Sequence, residues 1–138
     1  MFRKSAITFL FATIVTCLPS TSQATDLSGS WTGSWHDSRT GHHGPLRATF
    51  TKLENGDYQV NFRGRFAIII PFRYSVVLKA TEKDDQVQLN GSSDISRRRG
   101  TFYYSAEASK TNFVADFHSC KDKGQFVLKR SADSCCRQ

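Results

Sequence analysis

The stretch "YQVNFRGRFAIIIPFRYSVVLKAT", residues 58 to 81, decides the fold. Up to Phe66 it alternates: Tyr58, Val60, Phe62 and Phe66 take one parity, while Gln59, Asn61, Arg63 and Arg65 take the other. From Phe72 the alternation resumes, with Phe72, Tyr74, Val76 and Leu78 on the apolar parity and Arg73, Ser75 and Lys79 opposite. Period 2 sends successive side chains to opposite faces of a strand, so each half is a strand with one dry and one wet face. Between them Ala67-Ile68-Ile69-Ile70-Pro71 breaks the pattern, and the proline reads as the end of pairing. Two antiparallel strands joined by an apolar link are therefore expected at the centre of the chain.

The same alternation governs everything after residue 27. Eight runs carry it: Ser28 to His36, Leu46 to Leu53, Tyr58 to Phe66, Phe72 to Thr81, Gln86 to Gly91, Thr101 to Ala108, Asn112 to His118, and Gln125 to Arg130. No window shows a period of 3.6, and turn residues separate the runs at regular spacing, which predicts an all-β domain over residues 25–130, an eight-stranded antiparallel up-and-down β-barrel. Val87, Leu89, Phe102, Tyr104, Phe113, Phe117, Phe126 and Leu128 extend the dry set. Small residues of the same parity, Ala80, Gly91, Ala106, Ala108 and Ala115, would leave room inside for a ligand tail.

The chain opens with Arg3-Lys4, an apolar stretch from Ala6 to Leu18, Pro19, and the small-residue sequence Ser22-Gln23-Ala24. That order predicts a signal peptide over residues 1–24, because the apolar part falls short of the roughly 20 residues a membrane span needs and Ala24 offers a cleavage point. A secreted or periplasmic location follows. Cleavage leaves about 114 residues, enough for one domain with one modest core. Net charge drops from +7 to +5 as Arg3 and Lys4 leave, a balance that suits anionic partners or plain solubility. Cys17 departs too, so Cys120 and the two cysteines of the tail 131–138, Cys135 and Cys136, remain in an oxidising compartment. Three thiols cannot all pair in one chain, and one intramolecular bridge plus one thiol that is free or bound to another molecule is the simplest arrangement.

The connections are of two kinds. Those after the second, fourth and sixth runs, Glu54-Asn55-Gly56-Asp57, Glu82 to Asp85 and Ser109 to Thr111, are short and rich in turn residues. Those after the odd runs, residues 37–45, 67–71, 92–100 and 119–124, are longer. In a meander the odd links share one end, which becomes the open end where binding loops are carried. Charge divides likewise. Arg39, Arg65, Arg73, Arg97, Arg98, Arg99, Lys121 and Lys123 stand at the odd end against Asp37, Asp94 and Asp122. The even end sets Lys52, Lys79, Lys83 and Lys110 against Glu54, Asp57, Glu82, Asp84, Asp85 and Glu107. A basic mouth faces away from a mildly acidic base, and the isoleucine run becomes an apolar lip ringed by arginine, with at least one isoleucine folded inward as a lid.

Leu27-Ser28-Gly29-Ser30-Trp31 resembles the opening of the avidins and the Gly-x-Trp of the lipocalins, and Gly33-Ser34-Trp35 repeats it. The resemblance implies a calycin-type secreted barrel with Trp31 closing the base. Arg130, on the inward parity at the end of the last run, matches the lipocalin arginine that packs across that tryptophan. A guanidinium over an indole face seals a base without leaving a buried charge unpartnered. One departure from the resemblance is that no helical pattern follows the last run. The chain's only tryptophans lie on the first run, so the aromatic cage that avidins place around biotin is missing. The chain is also similar to short secreted bacterial proteins with segments like those at 44–50, 64–66 and 71–74, a likeness that implies no activity.

His36-Asp37, His42-His43 and His118 crowd the odd end without ligand spacing, so no metal and no cofactor is assigned. No Gly-x-Ser-x-Gly, no carboxylate pair on the dry face and no thiol beside a histidine is present, so no catalytic residue is assigned and the protein is not read as an enzyme. Nucleic acid is not expected as a partner, because nearly all aromatics take the inward parity and few are left to stack on bases. The expectation is a non-enzymatic binding protein for a small amphiphilic or anionic ligand. Its tail would lie against Ile68, Ile69 and Ile70, and its head near Arg65, Arg73, Arg97, Arg98 and Arg99, whose guanidinium forks suit phosphate and carboxylate. The alternative is an envelope interaction module with a solid barrel, whose basic mouth loops dock a protein or an anionic membrane surface.

Overall fold

The alternating runs become β1 (Gly29–Asp37), β2 (His43–Lys52), β3 (Tyr58–Phe66), β4 (Ile70–Lys83), β5 (Gln86–Ser96), β6 (Gly100–Ala108), β7 (Asn112–His118) and β8 (Lys123–Arg130). The computed structural model of the chain describes residues 15–18, 24–66, 69–98 and 100–132, apart from the Ser96 side chain. Every strand pairs antiparallel with its successor and β1 also pairs with β8, so the sheet closes as an up-and-down barrel. Closure removes both sheet edges and puts one parity of every strand inside. Register preserves the pattern: Tyr58↔Leu78, Val60↔Val76 and Phe62↔Tyr74 set apolar against apolar across β3 and β4. Of the predicted signal peptide, only residues 15–18 and Ala24 are described.

The strands run further toward the odd end than alternation implies. β2 starts at His43, β4 at Ile70 and β8 at Lys123, while β5 continues to Ser96. The odd links shrink to residues 38–42, 67–69, 97–99 and 119–122, so the expected long loops at the mouth are replaced by tall walls. Pro71 does not end pairing, since Arg65 faces it across the ladder and Phe66 faces Ile70. Among the described pairs the β4–β5 ladder runs from Lys79 to Lys83, so Pro71 lies outside it.

The base is closed by the segment before β1. Leu27 is fully buried; its N–H donates to the Tyr58 hydroxyl at 3.1 Å and its carbonyl accepts the Trp31 indole N–H at 2.9 Å. Trp31 packs between Phe50 and Phe113, with ring centroids 5.5 and 6.4 Å away. Arg130 lies over Trp31, its Cζ 4.6 Å from the ring centroid, and donates to the carbonyls of Ser28, Asp26 and Lys110 at 2.8, 2.7 and 2.7 Å. One guanidinium thus covers the indole and ties the entry segment and the β6–β7 turn to the end of β8. Arg130→Ala is expected to cost about 2 kcal/mol through lost stacking and stranded carbonyls, read as a lower urea midpoint. An unchanged midpoint would show that the base closes without it.

Cys120 is exposed in the β7–β8 link at the mouth. β8 then descends by roughly 23 Å to the base, where the Ser131 N–H bonds to the Ser30 carbonyl at 2.9 Å. Cys135 and Cys136, and with them the pairing expected among the three cysteines, lie outside the described residues.

Candidate functional site

The interior is divided by four rings, one each from β3, β4, β6 and β8. Phe62 stacks on Tyr74 at 5.2 Å, Tyr74 on Tyr104 at 6.3 Å, Tyr104 packs on Phe126 at 6.1 Å and Phe126 returns to Phe62 at 5.2 Å. This circuit spans the lumen as a floor. Beneath it the barrel is solid: Ala48, Ala106, Ala108 and Ala115 are buried in one cluster with Trp31, Phe50, Phe113, Leu78 and Leu89. Those small inward residues therefore make space for neighbouring aromatics, as close packing demands, while Ala80 is only half-buried against the cluster.

Above the floor lies a cavity of about 580 Å³ that opens at the odd end. Its wall is aromatic, with Trp35, Phe66, Phe72, Phe102 and Phe117, and its rim carries Thr40, His42, Asp37, Asp122, Arg73, Ile70 and Ile95. Trp35 is held flat against the wall by a hydrogen bond from its indole N–H to the Arg65 carbonyl at 3.1 Å. Gly44 makes that possible: it pairs with Trp35, and a Cβ there would meet the same carbonyl at 2.3 Å and the indole nitrogen at 3.0 Å. Trp35 then stacks on Phe66 at 6.0 Å, and His42 packs on the same ring at 4.6 Å.

Tyr74 and Tyr104 both contribute to the cavity's floor. Tyr104 is 4% exposed and its hydroxyl makes no hydrogen bond among the described residues. The Tyr74 hydroxyl adjoins it. Burial pushes the Tyr104 phenol up to about 12 and raises Tyr74 well above the ordinary tyrosine value, so both stay neutral donors. At the rim, Asp37 is buried under the β1–β2 turn. Burial pushes its carboxyl up, but acceptance of the Thr40 and Arg39 N–H groups outweighs this and holds it below the ordinary value. A depressed folded value means that its stabilising contribution is present above about pH 4 and fades as the pH falls below that. The stability gap between wild type and Asp37→Asn should accordingly narrow from pH 6 to about pH 3; a gap independent of pH would mean that its charge does not hold the turn.

The sequence-predicted site residues distribute unevenly. Ile70 lines the cavity although it is 58% exposed, and Arg73 reaches its rim. Ile69 is 83% exposed in the β3–β4 turn and does not fold inward as a lid. Arg65, Arg97 and Arg98 are exposed, and none lines the cavity. Ile68 and Arg99 lie outside the described residues. The mouth proper is mixed in charge, with Asp37 and Asp122 beside Arg73, and the basic character belongs to its outer surround. Ile95 was missed because Ser92-Ser93-Asp94 reads as a turn. Alternation carried two more steps past Gly91 points Ile95 inward, at a bulge where β5 shifts register against β6.

A second hollow, about 480 Å³, lies between the hairpin tips at the base and is lined by Thr25, Glu82, Asp84, Asp85 and Lys110 among others. It is polar and offers no apolar enclosure, so the mouth is the better candidate for a small molecule. Among the described residues no group of three His, Cys, Asp or Glu side chains is placed to hold a metal ion. No protein-family model, curated protein or solved structure matches the chain.

Proposed function

We propose that the protein is a non-enzymatic binding protein which takes a small amphiphilic ligand into the mouth of the barrel. The observation that carries this reading is the aromatic cavity above the four-ring floor, open to solvent and within the size range of small-molecule sites. The exposed arginines around the mouth, Arg65, Arg97 and Arg98, add a field that attracts anionic forms from solution. The Trp31–Arg130 base is in keeping with a calycin-type barrel, and the apparent signal peptide with a secreted or periplasmic setting. Mass spectrometry of protein purified natively from its host is expected to reveal a co-purified small molecule, and Ile95→Trp, which fills the cavity from its rim, should release it. A protein that carries nothing and takes up no naphthalene dye would end the proposal.

One observation favours a second reading. Ile69 and Ile70 stand exposed beside Arg65, an apolar and basic edge suited to docking on an anionic surface. Co-sedimentation with phosphatidylglycerol vesicles, abolished by Ile69→Asp and indifferent to Ile95→Trp, would select it.

A further inference from the structure

We propose that the outer wall of β1 to β4 is a second binding surface, distinct from the mouth cavity, and that its partner is an acidic polysaccharide. The observation is a row of cations in register around the barrel. Lys129 of β8 pairs with Thr32, Thr32 with Arg47, Arg47 with Arg63, and Arg63 with Arg73, which also borders the mouth. All five take the outward parity and are exposed, so four of five neighbouring strands present a positive charge at one level. The row extends over roughly 19 Å at the usual strand spacing. Arg65, also exposed, stands two residues nearer the mouth than Arg63. No aspartate or glutamate takes the outward parity on β1, β2, β3 or β4; the exposed acids Asp94, Glu107 and Asp116 belong to β5, β6 and β7. Like charges directly opposite one another on a sheet face destabilise it. Repeating that conflict at Arg47, Arg63 and Arg73 costs stability, and local conflicts of this kind are kept where function needs them.

What lies beside the row decides the partner. Two residues nearer the base, Ser30, Thr49, Asn61 and Ser75 pair across the same four strands as a parallel line of hydroxyl and amide groups, with Ser75 hydrogen-bonded to Asn61. A chain laid along this wall meets cations on one side and small polar groups about 7 Å away on the other. A polymer of acidic sugars supplies both complements, carboxylates for the guanidinium forks and ring hydroxyls for the serine, threonine and asparagine side chains. Other polyanions fit less well. No Phe, Tyr or Trp takes the outward parity on these four strands, so a single-stranded nucleic acid finds no ring to stack on. A lipid bilayer is flat, whereas the row curves with the closed sheet, so a membrane meets only part of it and a flexible chain follows it throughout.

Polygalacturonate is the probe, with dextran as its uncharged counterpart, both titrated calorimetrically into the full chain. Wild type is expected to bind polygalacturonate, more weakly as salt rises, and to ignore dextran. Arg47→Gln combined with Arg63→Gln removes the centre of the row. That double variant should bind about tenfold more weakly or worse, with a salt dependence of log affinity smaller by roughly one to two. Its urea midpoint should hold or rise, because repulsion between facing arginines is relieved. Lys83→Gln combined with Lys110→Gln removes the same charge at the base and should leave polygalacturonate affinity within about twofold. An equal loss in the two double variants would mean that net charge alone attracts the polymer, and would overturn the proposal, as would a wild type that does not bind. Duplex DNA or phosphatidylglycerol vesicles held more tightly than polygalacturonate, with the same loss on replacing Arg47 and Arg63, would overturn the polysaccharide as the partner. Uptake of a naphthalene dye by the mouth should be the same in wild type and both variants, so the cavity reading stands or falls separately.

Discussion

Phe62→Ala is expected to lower stability by roughly 3 to 5 kcal/mol, a fall of about 2 M in the urea midpoint. Phe62 is buried at mid-height on β3 and belongs to the ring circuit that separates the solid lower barrel from the open mouth, in contact with Tyr74 and Phe126. Truncation removes the transfer free energy of a phenyl group and leaves a void that ladder-bound strands cannot collapse to fill. It also breaches the floor, so the cavity should deepen into the core and the variant should take up larger apolar dyes than wild type. A loss below about 1 kcal/mol, or unchanged dye size selectivity, would show that the circuit is not the structural floor.

Gly33→Ala is expected to cost about 3 kcal/mol or to prevent the barrel from closing. Gly33 sits on β1 between the buried Trp31 and Trp35, opposite Leu128 of β8. A Cβ at that position would lie 1.9 Å from the Val127 carbonyl oxygen and 2.9 Å from the Leu128 Cα. Those are backbone atoms of the strand that closes the sheet, so they cannot swing aside as a side-chain tip would. The strain falls on the one ladder that joins the two ends of the sheet. Circular dichroism should show weakened β signal, and amide exchange should quicken in β1 and β8 before the other strands. Wild-type exchange in those strands would mean that the ladder slides to accept the methyl at little cost.

Much of this was legible in the residues. The eight runs, the parities, the antiparallel order and the opposition of the two ends all follow from period-2 alternation and turn chemistry, which are local properties. The Trp31–Arg130 contact was legible only through a family resemblance, since the two are far apart in the chain and meet through the β1–β8 ladder. The mouth was read less well. Isoleucines and arginines stand out in the sequence, but Ile69 and the arginines Arg65, Arg97 and Arg98 are exposed outside the cavity, while the groups that form it are ordinary members of the dry set.

Alternation along each strand by itself determined which side chains enter the barrel, because a pleated backbone leaves them no third direction. How deep each one sits was decided only by the tertiary structure, because depth depends on the stagger between strands and on the closing β1–β8 ladder. Inward parity is the same for Phe113 at the base, Phe62 in the floor and Phe72 at the mouth. Only the closed sheet brings four rings from separate strands to one level, and with them the boundary between core and cavity.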